Sequence, residues 1–177
     1  EVLVNALEAK DTYTSGHSNE VESLAVAMGQ ALGLSSEEIF KIGMAATLHD
    51  IGKIGIPDEL LHKQGNFTNE EWCIVKQHPT IGATIIGGAP SLNEIAKIVM
   101  HHHERWDGQG YPELLVGANI PLGARIIAVA DSFQAMTSDR PYRKGMPQEE
   151  ALAEIQRCAG TQFDPEIVAV FLKNIKE

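Results

Sequence analysis

Basic charge is what this chain has least of: 14 Lys and Arg stand against 24 Asp and Glu, a formal charge of −10 over 177 residues. A sequence so acidic lacks the broad positive face that long nucleic acids and anionic membranes require, so contact with either is not expected. Cysteine is equally scarce. Cys73 and Cys158 have no Cys-x-x-Cys spacing, and they read as ordinary buried or helix-face thiols with weak support for a disulfide. No signal-peptide pattern and no apolar run of bilayer-spanning length occurs, so a cytoplasmic location is expected for this stretch. Strongly alternating β-type segments and internal repeats are missing too. With 44% hydrophobic residues, what is left is one well-packed domain over 1–177 rather than a disordered chain.

What is present is helical rhythm. Val2, Leu3, Ala6, Leu7 and Ala9 fall close to helical spacing, as do Val21, Leu24, Ala25, Met28 and Leu32 after Gly16. That the first residues already follow this rhythm suggests an upstream partner domain. Ser35-Ser36-Glu37-Glu38 and Thr68-Asn69-Glu70-Glu71 read as helix starts with acidic first turns. The spacing predicts helices over 17–32, about 37–50, from 68 to Pro79, which bends or restarts the helix, and on to 86, and over 92–103. A turn-rich segment at 104–119, a long apolar helix from Pro121 to about Ser138 and two final helices near 147–158 and 165–175 complete an all-α domain. Asp139 to Gly145 is a polar, basic loop in which Arg140, Arg143 and Lys144 gather the few cations.

Six of the seven histidines lie where helices end or bend: His17, His49, His78, His101, His102 and His103. His62 sits in a polar loop and is left aside. Imidazoles beside carboxylates in apolar surroundings form a ligand set for Mn, Fe, Zn or Ni. His49 and Asp50 are consecutive, so on a continuous helix their side chains would diverge by about 100°. They share one site only if other ligands surround the helix end, where a carboxylate can bridge two metals and an imidazole cannot. Asp131, in the apolar run ARIIAVADSFQAM, is the most costly charge to bury and demands a metal or strong partner. Arg140 and Arg143 carry guanidinium forks suited to phosphate oxygens.

Taken together, YTSGHS (13–18), LHDIGKIGIPDELL (48–61), QHPTIGATII (77–86), the stretch HHHERWDGQGYPELLVGANIPLGARIIAVADSFQAMTSDRPYR (101–143) and AGTQFDPEIV (159–168) resemble the HD-GYP domain. This is the cyclic di-GMP branch of the HD phosphohydrolase superfamily, and the likeness covers nearly the whole chain. It implies a helix bundle with a metal site at its centre. It also implies the ligands His17, His49, Asp50, His78, His102, His103 and Asp131, with Asp50 as the bridging carboxylate. His102 and His103 match because they directly precede Glu104; His101 is an extra histidine. Lys53 resembles the lysine beside the attacking water and scissile phosphate, Arg140 and Arg143 the phosphate-binding cations, and Tyr111 belongs to the Gly110-Tyr111-Pro112 signature. Tyr111 could stack on guanine or pack a lid.

The implied reaction is hydrolysis of cyclic di-GMP to linear pGpG, and on to GMP, with two divalent transition metals, Fe or Mn before Zn or Ni. Implied partners are an upstream sensory or receiver domain, and a homodimer or a diguanylate cyclase contact. Three positions depart from the family pattern. Glu20 stands where an arginine is familiar, Gln134 where an aspartate is frequent, and Tyr13 where three-metal members have a glutamate, so two metals are expected. A third metal would have to use Glu8 or Asp11. Rival readings are an HD phosphohydrolase of another nucleotide or alarmone, a non-catalytic receptor module, and a diiron oxygenase. Lys53 and the two arginines suit phosphate better than the neutral substrate of the last.

Overall fold

The computed structural model describes residues 16–139 and 144–175. The helix expected over 1–13, position 13, Glu8, Asp11, Arg140 and Arg143 therefore lie outside the described residues. Among the described residues there are nine α-helices and no named strand, as the all-α reading expects. They are α1 (His17–Ala31), α2 (Ser36–Leu48), α3 (Asp58–Leu61), α4 (Asn69–Val75), α5 (His78–Ile86), α6 (Asn93–Met100), α7 (Leu122–Thr137), α8 (Gln148–Arg157) and α9 (Pro165–Asn174).

Local chemistry sets several of these boundaries. Ser35 and Glu38 form a capping box at the start of α2, the Ser35 hydroxyl accepting from the Glu38 N–H at 3.3 Å while the Glu38 carboxylate accepts from the Ser35 N–H at 2.9 Å. Thr68 and Glu71 repeat the arrangement at α4. Each box satisfies two N–H groups that a helix start leaves without partners. At α9 the Asp164 carboxylate accepts from the Glu166 N–H, with Pro165 in the first turn.

α7 is the axis of the bundle. Ala124, Ile126, Ile127, Val129 and Ala130 are fully buried along it, and it touches α1, α2, α6, α8 and α9. A helix apolar on nearly every side must lie inside, which is why its sequence shows no clean polar face. α1 and α2 pack side by side on one flank, while α5 and α6 pair on the other.

Two boundaries differ from the sequence expectation, and both shape the site. The helix expected over 37–50 stops at Leu48; His49 caps it, and a 3₁₀ turn runs from Ile51 to Gly55. The helix expected over 92–103 stops at Met100, leaving His101, His102 and His103 in a turn closed by Glu104 N–H donating to the His101 carbonyl at 2.9 Å. At Pro79, where the helix was expected to bend or restart, it restarts: the proline sits in the first turn of a new helix, where its missing N–H is harmless. These endings follow tertiary packing. Gly52 lies so close to α5 that a Cβ there would stand 1.8 Å from the His78 carbonyl oxygen and 2.5 Å from the Gly82 nitrogen. The 3₁₀ turn and the start of α5 are thus in backbone contact, which brings Asp50 and His78 together.

Candidate metal centre

Each central histidine is oriented by the backbone of its own chain segment. His49 Nδ1 lies 2.6 Å from the Ala46 carbonyl, His78 Nδ1 2.8 Å from that of Val75, and His102 Nδ1 2.6 Å from that of Val99. A carbonyl oxygen only accepts, so in all three rings the proton sits on Nδ1 and the Nε2 lone pair points inward. This is how proteins commonly hold imidazoles that ligate metals.

The inward nitrogens converge. Ligand atoms of His78, His102 and His103 lie within 4.8 Å of one another, and so do those of His17, His49 and Asp50. Asp50 joins the two groups: one carboxylate oxygen is 3.4 Å from His78 Nε2 and the other is 3.5 Å from His49 Nε2. Asp131, projecting from α7, places an oxygen 3.2 Å from His17 Nε2 and 3.9 Å from His49 Nε2. All seven residues expected as ligands therefore meet in one place. A break of regular helix after Leu48 lets adjacent His49 and Asp50 do so, with Asp50 at φ −96° and ψ 4°.

Two observations test whether a metal fits. His49 Nε2 is buried and makes no hydrogen bond. His78 Nε2 and His102 Nε2 face each other at 3.4 Å, yet with Nδ1 protonated in both neutral rings neither can donate to the other. Two lone pairs at that separation repel unless a cation lies between them. The donor set of imidazoles and carboxylates suits a transition metal.

The electrostatics agree. Burial, then the neighbouring His103, holds His102 well below the ordinary imidazole range. Burial lowers His78 against the opposing pull of Asp50. His103 is pushed down to about 4, mainly by burial and then by His78. These three rings are neutral near pH 7, as ligation requires. Burial works against ionisation of Asp50 and Asp131. For Asp50, Lys53 and then the surrounding imidazoles outweigh it; for Asp131, the His17 hydrogen bond and the His49 charge do. Both carboxyls stay well below their usual range. His17 moves the other way: burial lowers it, but the Asp131 hydrogen bond and charge prevail and its pKa rises.

The site's edge is also built. Lys53, in the 3₁₀ turn, sets its ammonium 2.7 Å from Asp50. Tyr111 stacks on His103 with centroids 4.9 Å apart and planes at 27°. Burial, then Asp50 and Asp131, raises the Tyr111 pKa, so it stays a phenol. Gly110 permits this placement, since a Cβ there would lie 2.3 Å from the Arg105 nitrogen. The Tyr111–Pro112 peptide is cis.

His101, set aside as an extra histidine, is buried with both ring nitrogens engaged, by the Lys97 carbonyl at 2.7 Å and Glu113 at 3.1 Å. It is not a ligand. Cys73 and Cys158 are free thiols, exposed and buried respectively.

One feature escaped the sequence, and two departures noted there are joined in the structure. Glu104 is buried and both of its oxygens accept backbone N–H groups, from Glu113 at 2.6 Å and Leu115 at 3.2 Å, pinning the loop that carries Tyr111. Its place directly after the paired histidines was the available signal. Glu20 and Gln134, two separate departures from the family pattern, are one device. The Gln134 carbonyl accepts from His17 Nδ1, while its amide donates to Glu20 at 3.1 Å and to Ser138 at 2.7 Å. Gln134 thereby turns His17 Nε2 toward Asp131.

Comparison with known proteins agrees with this geometry. A family model described as an HD domain matches residues 1–167. The chain belongs to the HD domain family. This HD domain is 46% identical over 179 residues to a cyclic di-GMP phosphodiesterase of Thermotoga maritima, covering 100% of this chain and 49% of that protein. It is 44% identical to the cyclic di-GMP phosphodiesterase response regulator RpfG of Xanthomonas campestris pv. campestris, covering 97% of this chain and 46% of the relative. The chain thus spans about half the length of these curated relatives. Its fold is that of a cyclic GMP-AMP phosphodiesterase structure from V. cholerae, with TM-score 0.80 at 23% identity over 99% of this chain and 47% of the other. Among the described residues, no helix is long and apolar enough to cross a membrane.

In the metal-free protein, the raised His17 pKa means that this ring takes up its proton before His103 as pH falls, His103 staying neutral down to about pH 4. Imidazole NMR titration checks the order, and a His103 resonance titrating above that of His17 contradicts it. Replacing Gln134 by Ala frees His17 to rotate and weakens metal uptake at the His17–Asp131 side by about 10- to 100-fold. Chelator-competition titration measures the change; an isotherm identical to that of the unmodified chain rules out the orienting role.

Proposed function

We propose that residues 1–177 form one catalytic domain of a larger signalling protein, a metal-dependent phosphodiesterase that opens cyclic di-GMP to linear pGpG and can proceed to GMP. The observation that carries this reading is Asp50, whose two oxygens face two separate groups of imidazole ligands while Lys53 stands beside it. The names of relatives at 46% and 44% identity support the substrate class. Two divalent transition metals held by these seven residues, iron or manganese before zinc or nickel, would supply Lewis acidity and lower the pKa of the attacking water.

The chain's own groups have distinct tasks. Asp50 and Asp131 provide the negative charge that holds dications, and the neutral histidines complete the shell. Lys53 steadies non-bridging phosphate oxygens as charge builds on them, and Arg140 and Arg143 neutralise the flanking phosphate. Tyr111, against His103, walls the substrate's side of the centre. One P–O bond breaks, water giving its oxygen to phosphorus and its proton to the departing sugar oxygen. No serine or cysteine of the described residues stands among these ligands, so the nucleophile is water. A second messenger of this kind places the domain in the cytoplasm.

A relative at 37% identity is named as specific for 3′3′-cGAMP, which favours a second reading in which the bases differ. The metal ligands act on phosphate and are blind to that difference.

Replacing Asp50 by Ala removes the carboxylate between the two groups and abolishes turnover along with metal content, measured by elemental analysis and chromatography of cyclic di-GMP products. Full metal content with retained turnover defeats the bridging role. Replacing Arg140 and Arg143 together by Ala leaves metal content intact and raises KM; unchanged KM and kcat place the phosphates elsewhere.

A further inference from the structure

One cation near the centre has no anionic partner among the described residues. In a chain of net charge −10, Lys76 forms no ion pair among the described residues. Its ammonium lies instead over two aromatic rings, 5.7 Å from the Trp72 centroid and 5.3 Å from that of Tyr111. Cations do settle over ring faces, but this one connects a solvent-facing ring to a ring already stacked on a metal ligand. Trp72 is 42% exposed and backed by Phe67, stacked at 5.5 Å with planes at 13°. A tryptophan so exposed contributes little to the core, and its pairing with Phe67 keeps it from rotating freely.

The placement is fixed at both ends. Trp72 lies on α4 and Lys76 caps that helix one turn later, its N–H donating to the Trp72 carbonyl at 3.0 Å, two residues before His78. Tyr111 is held by stacking on His103. Lys76 therefore links Tyr111, on the His103 side of the centre, to the exposed Trp72. A base attached to a phosphodiester on that side of the centre would lie beside Tyr111.

We propose that Trp72, Lys76 and Tyr111 form a purine subsite in which Lys76 selects guanine. The inference rests on the phosphodiesterase reading and deepens it by naming what distinguishes one base from another. Aromatic faces stack any base and carry no identity. The Hoogsteen edge does: guanine presents two acceptors, N7 and O6, whereas adenine presents N7 and an amino donor. An ammonium leaving the rings for that edge finds two acceptors on guanine and confronts a donor on adenine.

The test is calorimetric binding of GMP, AMP and inorganic phosphate to the manganese-loaded chain, with metal content measured in each variant. The unmodified chain binds GMP more tightly than AMP, and AMP more tightly than phosphate. Trp72→Ala lowers affinity for both nucleotides by about tenfold, with metal content and phosphate affinity retained, and Trp72→Phe restores them. Lys76→Met brings GMP affinity down to that of AMP. Equal weakening of all three ligands by Lys76→Met overturns the proposal by assigning the lysine to phosphate, and unchanged nucleotide affinities in both variants overturn it outright. A chain that cleaves cyclic di-GMP but binds GMP no better than phosphate defeats the subsite alone. A chain that prefers GMP but cleaves no cyclic dinucleotide defeats the phosphodiesterase reading instead.

Discussion

Repulsion among inward-facing imidazole nitrogens, and its relief by cationic charge, is the constraint on which the middle of this domain depends. His49, His78 and His102 each commit Nδ1–H to a carbonyl three residues back, so their Nε2 lone pairs face one another across a buried space. Asp50 lies among them and Asp131 flanks them, two carboxylates that burial alone would neutralise. Such an arrangement is unfavourable for a core but natural for a metal site, where the ion satisfies lone pairs and carboxylates together. The bundle around it is arranged to hold that geometry. α7 carries Asp131 along the largely apolar axis, and the Gly52 contact clamps the Asp50 turn on the helix that begins with His78.

Further from the centre, the chain spends polar groups on positioning loops rather than on binding. Glu104 uses both oxygens to hold backbone N–H groups of the Tyr111 loop. Arg105 makes a forked pair with Asp107 and reaches Gln162 at 3.1 Å, while Arg125 pairs with buried Asp164 at 2.6 Å and lies over Trp106. These pairs join the turn-rich segment to the connection before α9, which explains why AGTQFDP, remote in sequence, accompanies the catalytic motifs. Glu20 and Gln134 serve His17 in the same way. At these two positions this chain has a carboxylate and an amide, joined by a hydrogen bond.

Much of this was legible in the residues. Both capping boxes stood in the sequence because they depend on side chains three positions apart, and the helices they open formed where expected. The ligand set was legible because each ligand sits in a short stretch of matching residues, and all seven converge. Helix ends were less legible. The expected continuations through Asp50 and through His103 failed because a helix stops there for the benefit of residues elsewhere in the chain: Gly52 against His78, and Glu104 against the loop at 113–115.

By itself, then, the amino-acid order determined the helical class, the caps and the candidate metal-ligating side chains, since propensity, periodicity and donor chemistry are properties of neighbours along the chain. Tertiary structure alone decided which carboxylate lies between which imidazoles, that the extra histidine, His101, is engaged by Glu113, and that Lys76 stands over Trp72 and Tyr111. Those relations join residues from different helices and loops. They exist only once burial of the α7 axis has drawn the helix ends to one point.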